Sequence, residues 1–311
     1  MPRPTWIVAA LSFLCALPAA ADPGIPPSAL GQQPFLWGVT LAGYQNDGGA
    51  PADDWLEYEQ QGGVPERSER SADFRGHMDE DLDHARSLGL NAFRTSIEWA
   101  RLEPEEGHYD LAEVAYVHRL LRGIRQRGMT SVIALHHFAT PRWAYQDAGD
   151  GLLGWESPRM VQAYLKYVAF AAREFGSEIG LYLTFNEPSS VLLGGYLAGF
   201  TPPHRTGLAA FARATANMLE AHKGAYDLIH AADPHARVSV PDYNCLLPVA
   251  AGVDWTPGRW FIGLLPNREG WDGQPRPRYL DYVALHYYGT NHAFTAYPIE
   301  SEHWEGNPRH F

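Results

Sequence analysis

The segment IGLYLTFNEPSS, residues 179–190, starts as a short apolar run and ends in an amide, a carboxylate and a proline. The run has the length and composition of a buried strand. Asn186 and Glu187 stand where that strand stops, and Pro188 turns the chain away so that both side chains face an opening. Polar groups at the end of an apolar strand are expected where strands are parallel and covered on both faces, with the chemistry at their C-terminal ends.

The flanks repeat the pattern. Upstream, residues 35–44 (FLWGVTLAGY), 91–99 (NAFRTSIEW) and 130–138 (TSVIALHHF) read as strands. Downstream, residues 237–244 (RVSVPDYN) and 281–289 (DYVALHYYG) read as two more. Between them lie helices. Residues 78–89 place Met78, Leu82, Ala85 and Leu88 at helical spacing, with Gly89 as a C-cap. Residues 111–128 end in basic side chains that suit the helix dipole. Residues 157–176 open on a Ser-Pro cap and end at Gly176, and residues 207–233 form the longest helix. Alternation of this kind predicts a parallel sheet with helices outside it. No Gly-x-Gly-x-x-Gly follows the first strand, which counts against a dinucleotide fold. Polar and aromatic residues recur at six strand ends, so the fold class is α/β, a (β/α)8 TIM barrel. Six strands are counted where eight close a barrel, so the barrel is expected to be incomplete.

Composition narrows the function. The chain has 311 residues, 45% of them hydrophobic and 13% aromatic, and a formal net charge of -12. It is no disordered chain, and it has no basic face for nucleic acid. The N-terminus reads as an export signal: Arg3, an apolar run over residues 7–17, then Ala19, Ala20 and Ala21 before Asp22. The expected organisation is a signal peptide over 1–21 and a barrel domain over 22–311, in a secreted or periplasmic protein free of the membrane after cleavage. With Cys15 inside the signal, Cys245 would be the only cysteine left, which excludes an internal disulfide and a zinc-thiolate cluster.

The motifs resemble those of glycoside hydrolase family 1, the retaining β-glucosidases and β-galactosidases. FLWGVTLAGYQ is similar to that family's opening strand, although Asn46, Asp47 and Gly48 replace its usual continuation. ALHHFATPRW resembles the strand ending Tyr-His-Trp-Asp-Leu-Pro, LGWESP resembles Gly-Gly-Trp, and TFNEP matches outright. The likeness runs from about residue 35 to 205 and thins to DYVALHYYGT. It implies that Glu187 is the acid/base and that Asn186 bonds the sugar 2-hydroxyl. It implies substrate-binding roles for Gln45 and His137, and for Arg94 at the second carboxylate. Tyr288 falls on the tyrosine that bonds the nucleophile. His286 stands where the family has asparagine, which leaves room for a family 5-like glycanase of the same barrel superfamily. A small carbohydrate is the expected partner, and the chemistry requires no cofactor.

Neighbours on a strand point to opposite faces, so His136 and His137 are not expected to share a metal, and His136 reads as packing. Trp99, Trp143 and Trp155 read either as stacking faces or as core. The nucleophile of a retaining enzyme lies about 5 Å from the acid. In the resembled family it belongs to a Thr-Glu-Asn-Gly motif on strand seven, which residues 1–311 do not contain. Asp242, Glu300, Glu302 and Glu305 are the remaining carboxylates weighed for that task. The expectation is a C-terminally truncated barrel. A catalytically inactive, carbohydrate-binding remnant is the alternative.

Overall fold

The computed structural model describes residues 35–64, 67–250, 253–255, 261–269 and 275–290. The chain divides into two units, Met1–Phe35 and Leu36–Phe311. All that follows concerns the second unit, and the expected signal peptide lies outside the described residues.

The first half of this unit runs β1 (Gly38–Thr40), α1 (Gly43–Asn46), α2 (Asp54–Gln60), α3 (Phe74–Ser87), β2 (Ala92–Ser96), α4 (Trp99–Leu102), α5 (Leu111–Gln126), β3 (Thr130–Ala134) and α6 (Arg142–Tyr145). The second continues with α7 (Pro158–Phe175), β4 (Leu181–Leu183), α8 (Pro188–Leu192), a π-helical stretch Leu193–Ala198, α9 (Leu208–Ala232), β5 (Val238–Ser239) and β6 (Asp242–Ala250). Then come β7 (Val253–Trp255), β8 (Asn267–Glu269), β9 (Pro275–Pro277) and β10 (Leu285–Thr290).

Strands β1 to β5 form one sheet in chain order, and every pairing in it is parallel. The sixth parallel strand is β10, which pairs with β6 from Leu285 opposite Asp242 onward. Its approach lies beside β5: Asp281 N donates to Val238 O at 2.9 Å, and Ser239 Oγ to Tyr282 O at 2.7 Å. The six strands read from the sequence are therefore present, parallel and in order, as in a (β/α) barrel. Among the described residues β1 pairs with β2 alone. The hairpins β6–β7 and β8–β9 are antiparallel additions that the sequence reading lacked.

The helix ends follow the caps. Asp110 accepts from Ala112 N at 2.7 Å and Glu113 N at 3.3 Å, and Ser157 accepts from Arg159 N, so α5 and α7 start where the sequence placed them. Gly89, at φ +81°, ends the turn after α3 in a left-handed conformation that costs glycine nothing. The larger core cluster packs α7 and α9 against the sheet through Tyr164, Tyr167, Phe175, Phe185, Met218 and Val238. The smaller one lies under α3 and α5 around Phe74, Leu82, Phe93 and Ile124. Trp99 and Trp155 are fully buried in the first cluster and are core. Trp143 packs against that cluster, with its Nε1 donating to Glu103 O at 2.8 Å. None of the three needs a stacking role to account for its place.

The strands are shorter than their apolar runs. The run at 130–138 leaves the ladder after Ala134, and Phe138 has φ +67°. The run at 35–44 breaks after Thr40, and its end coils into α1. In each case the residues beyond the ladder belong to the loops over the strand ends.

Candidate active site

Glu187 sits at the turn from β4 into α8. Its backbone is left-handed, φ 47° and ψ 64°, which costs a non-glycine residue about 1 kcal/mol or more. Pro188, which disfavours helical backbone in the residue before it, adds to that constraint. The turn is held from several sides. Glu187 N donates to Pro241 O at 3.0 Å, and Asn186 N to His136 O at 2.8 Å. Asp242, fully buried, accepts from Ser189 Oγ at 2.6 Å and Ser189 N at 3.2 Å.

The carboxylate is gripped at both oxygens. Ser190 Oγ donates to Oε2 at 2.9 Å, and His286 Nδ1 lies 2.5 Å from Oε1. Glu187 is 7% exposed and Asn186 is 2% exposed, so both are desolvated yet near the strand ends. Arg94 Nη2 donates to Asn186 Oδ1, which fixes the amide with its oxygen toward the guanidinium. His137 stands beside this group. Burial, with Arg94, His286 and His136 adding to it, pushes the His137 imidazole well below its ordinary range. A neutral ring is the result, and its buried Nδ1 has no hydrogen-bond partner among the described residues.

Of the six residues singled out from the sequence, four thus converge: Arg94, His137, Asn186 and Glu187. Gln45 is exposed in the helical turn α1 rather than at a strand end, with no side-chain hydrogen bond among the described residues. Tyr288 belongs to β10, but its expected contact lies outside the described residues. Glu300, Glu302 and Glu305 lie outside them as well. Asp242 is committed to Ser189 and so acts on the turn. His136 is packing: its ring meets Trp155, Tyr164 and Phe185 edge-on, and Nε2 lies 3.0 Å from Thr140 Oγ1.

Ser190 and His286 are the contacts that sequence reasoning missed. Ser190 is three residues from Glu187 in the first turn of a helix, a spacing that brings side chains together. His286 stands in the sequence at a strand end, as a departure from the family's pattern compatible with sugar contact, with no sign of its bond to Glu187. Its contact spans 99 positions and exists because β10 pairs with β6.

A wider group of acids underlies α1 and α2. Burial raises Glu98 to about 8, Asp53 to about 7 and Asp47 to about 6. Glu98 Oε1 accepts from Ser96 Oγ at 2.7 Å, and that hydroxyl in turn accepts from Gly43 N. Through Ser96, Glu98 ties the loop after β1 to the end of β2, while Asp53 caps α2 and Asp47 faces Arg75 of α3.

Comparison with known proteins follows the same lines. The family model described as "Glycosyl hydrolase family 1" matches residues 30–251. A β-galactosidase of Pyrococcus woesei is 29% identical over 62% of this chain and 48% of its own length. A cytosolic β-glucosidase of Cavia porcellus is 31% identical over 62% of this chain and 42% of its own. The chain therefore spans about half the length of the curated relatives it matches. Among solved structures, a β-glycosidase from Pyrococcus horikoshii has a TM-score of 0.71 at 26% identity, covering 86% of this chain and 64% of that one. A β-glucosidase from Thermotoga maritima, at 22% identity and a TM-score of 0.68 over 83% of this chain and 65% of that one, shares the fold. With the parallel strands, the Asn186–Glu187 turn and the family match over residues 30–251 in agreement, this chain belongs to glycosyl hydrolase family 1.

Proposed function

We propose that this chain carries the sugar-holding and proton-transferring part of a retaining β-glycosidase acting on β-linked glucosides or galactosides. The observation that carries the reading is the Asn186–Glu187 turn. Its two side chains are buried at a strand end and clasped by Arg94, Ser190 and His286. Glu187 gives its proton to the leaving oxygen as the bond breaks and takes one from water in the second step. Asn186, its oxygen held by Arg94, has its amide hydrogens left to bond the sugar 2-hydroxyl, a contact that strengthens in the transition state. The neutral His137 ring offers a further bond to a sugar hydroxyl. Export to the periplasm or the medium is part of the proposal and rests on the N-terminal pattern of Arg3, residues 7–17 and Ala19 to Ala21.

The test is hydrolysis of an aryl β-glucoside by the chain and by Glu187→Gln. Removing a general acid should lower the rate by about 100-fold or more. Equal, measurable rates for the two proteins would sink the assignment. A second reading, sugar binding without turnover, is favoured by one observation: Asp242, the one carboxylate weighed as nucleophile that lies among the described residues, is committed to Ser189. Calorimetric binding of methyl β-thioglucoside, with no hydrolysis of the aryl compound, would select it.

A further inference from the structure

At one strand end this chain departs from its family, and the fold sets that departure against the acid. Where the family has asparagine stands His286, with Nδ1 2.5 Å from Glu187 Oε1. That is closer than the roughly 2.7–2.9 Å of an ordinary charge-assisted N–H···O bond. Two lone pairs repel at such a distance, so a proton lies between the nitrogen and the oxygen. Placed on Oε1, it would point into the ring and away from any leaving group. Placed on Nδ1, it leaves Oε2 as the oxygen that carries the proton to be delivered. Ser190 Oγ then donates to that same Oε2 at 2.9 Å.

The ring is delivered by backbone pairing. Strand β10 runs parallel to β6, with Leu285 opposite Asp242 and His286 opposite Tyr243. Its approach is tied down on both sides. Tyr282 Oη donates to Tyr182 O at 3.0 Å, and Asp281 Oδ2 accepts from Val238 N at 2.8 Å. A site built on strands holds its geometry better than one on loops. The side chains of His286 and Glu187 are 16% and 9% exposed, so water screens their bond little. The neighbouring groups have other tasks. Burial keeps His136 and His137 neutral, Arg94 donates to Asn186, and Asp242 accepts from Ser189 through both oxygens.

We propose that His286 is a positioning residue for the acid. Its Nδ1–H occupies Oε1, assigns the deliverable proton to Oε2 and steadies the carboxylate left behind. In that step the Oε2–H bond breaks, and the leaving oxygen gains the proton with the electron pair of the glycosidic bond. His286 keeps its own proton. A hydrogen bond to a carboxylate is about twice as strong as one to a neutral carboxyl, so this contact tightens as the proton leaves. Its effect therefore grows with the leaving group's need for a proton.

The proposal rests on the reading of Glu187 as the acid, and its test separates the two. Nitrogen-15 spectra of the histidine-labelled full chain show which ring nitrogen is protonated, and His286→Asn identifies the signals of His286. Nδ1 should carry the proton in the wild type, and Glu187→Ala should release the ring to the other tautomer. In rate measurements His286→Ala should lower kcat/KM for phenyl β-glucoside about tenfold more than for the 2,4-dinitrophenyl compound, whose leaving group needs no proton. His286→Asn keeps an N–H donor and should recover part of the phenyl loss. A merely structural role would slow both glucosides equally, and that result overturns the proposal. So does a wild-type His286 ring protonated at Nε2 alone. Should the Nδ1 proton answer to Glu187→Ala in a chain that hydrolyses neither glucoside, the pairing stands and the reading of Glu187 as the acid is the part that fails.

Discussion

At the scale of the residue, the site depends on a backbone that few side chains accept. Glu187 holds a left-handed conformation before a proline, so its neighbours must over-determine the turn. Asp242 does most of this from below. It is fully buried and accepts from both the amide and the hydroxyl of Ser189. Asp242→Ala would strand two buried donors and should cost about 1–3 kcal/mol in urea unfolding, whereas Ser189→Ala, which removes one bond, should cost less. Equal losses for the two variants would mean that Asp242 does not organise the turn through Ser189. The Asn186–Glu187 turn was legible in the sequence because Asn-Glu-Pro closes an apolar run. Its geometry was not. Non-glycine residues such as Phe138 and Glu187 leave no sign of a positive φ in the sequence, so the strands were read past the point where they leave the ladder.

At the scale of the element, local chemistry and tertiary context divide the work. Helices α5 and α7 start at Asp110 and Ser157 because each side chain satisfies a backbone donor of the first turn. Asp110→Ala should therefore destabilise the protein by about 0.5–2 kcal/mol in urea unfolding, with the fold intact by circular dichroism. No change in the midpoint would show that packing alone sets the start of α5. Such ends are readable because cap and helix are adjacent in sequence. Helix α2 has the same signal, since Asp53 Oδ1 accepts from Leu56 N at 2.7 Å, yet its seven residues were too few for a periodic pattern to declare it. The placement of Gln45 in α1, off the strand end, has a related cause. The apolar run that ends just before it looks continuous with β1, while the ladder to β2 ends at Thr40 opposite Arg94. The contact between His286 and Glu187 belongs to neither class. It arises from strand order, which no local pattern encodes.

At the scale of the whole unit, buried ionisable groups tie stability to pH in two opposing ways. Burial raises Glu98 to about 8, Asp53 to about 7 and Asp47 to about 6. Burial lowers His222 to about 4 and His136 to about 3. His222 is a structural case: Nε2 must donate to Tyr279 O, so Nδ1 accepts from Thr184 Oγ1, and the neutral ring joins α9, β4 and the approach to β10. For these histidines the folded state binds fewer protons than the unfolded one. Their stabilisation is complete above pH 6.5 and is lost as pH falls toward 4 and below. For the three acids the folded state binds more protons. Their stabilisation is complete below the ordinary carboxylate range and is lost as pH rises through their folded values. Between pH 6.5 and 8 the histidines are silent and Glu98, with part of Asp53, still titrates. Thermal stability should then fall as pH rises across this window. Glu98→Gln keeps an acceptor for Ser96 Oγ and removes the ionisation, so it should flatten the fall. Melting temperatures of the two proteins at half-unit steps from pH 6.5 to 8 decide the matter. Parallel curves would remove Glu98 as the source of the slope and leave Asp53 to account for it.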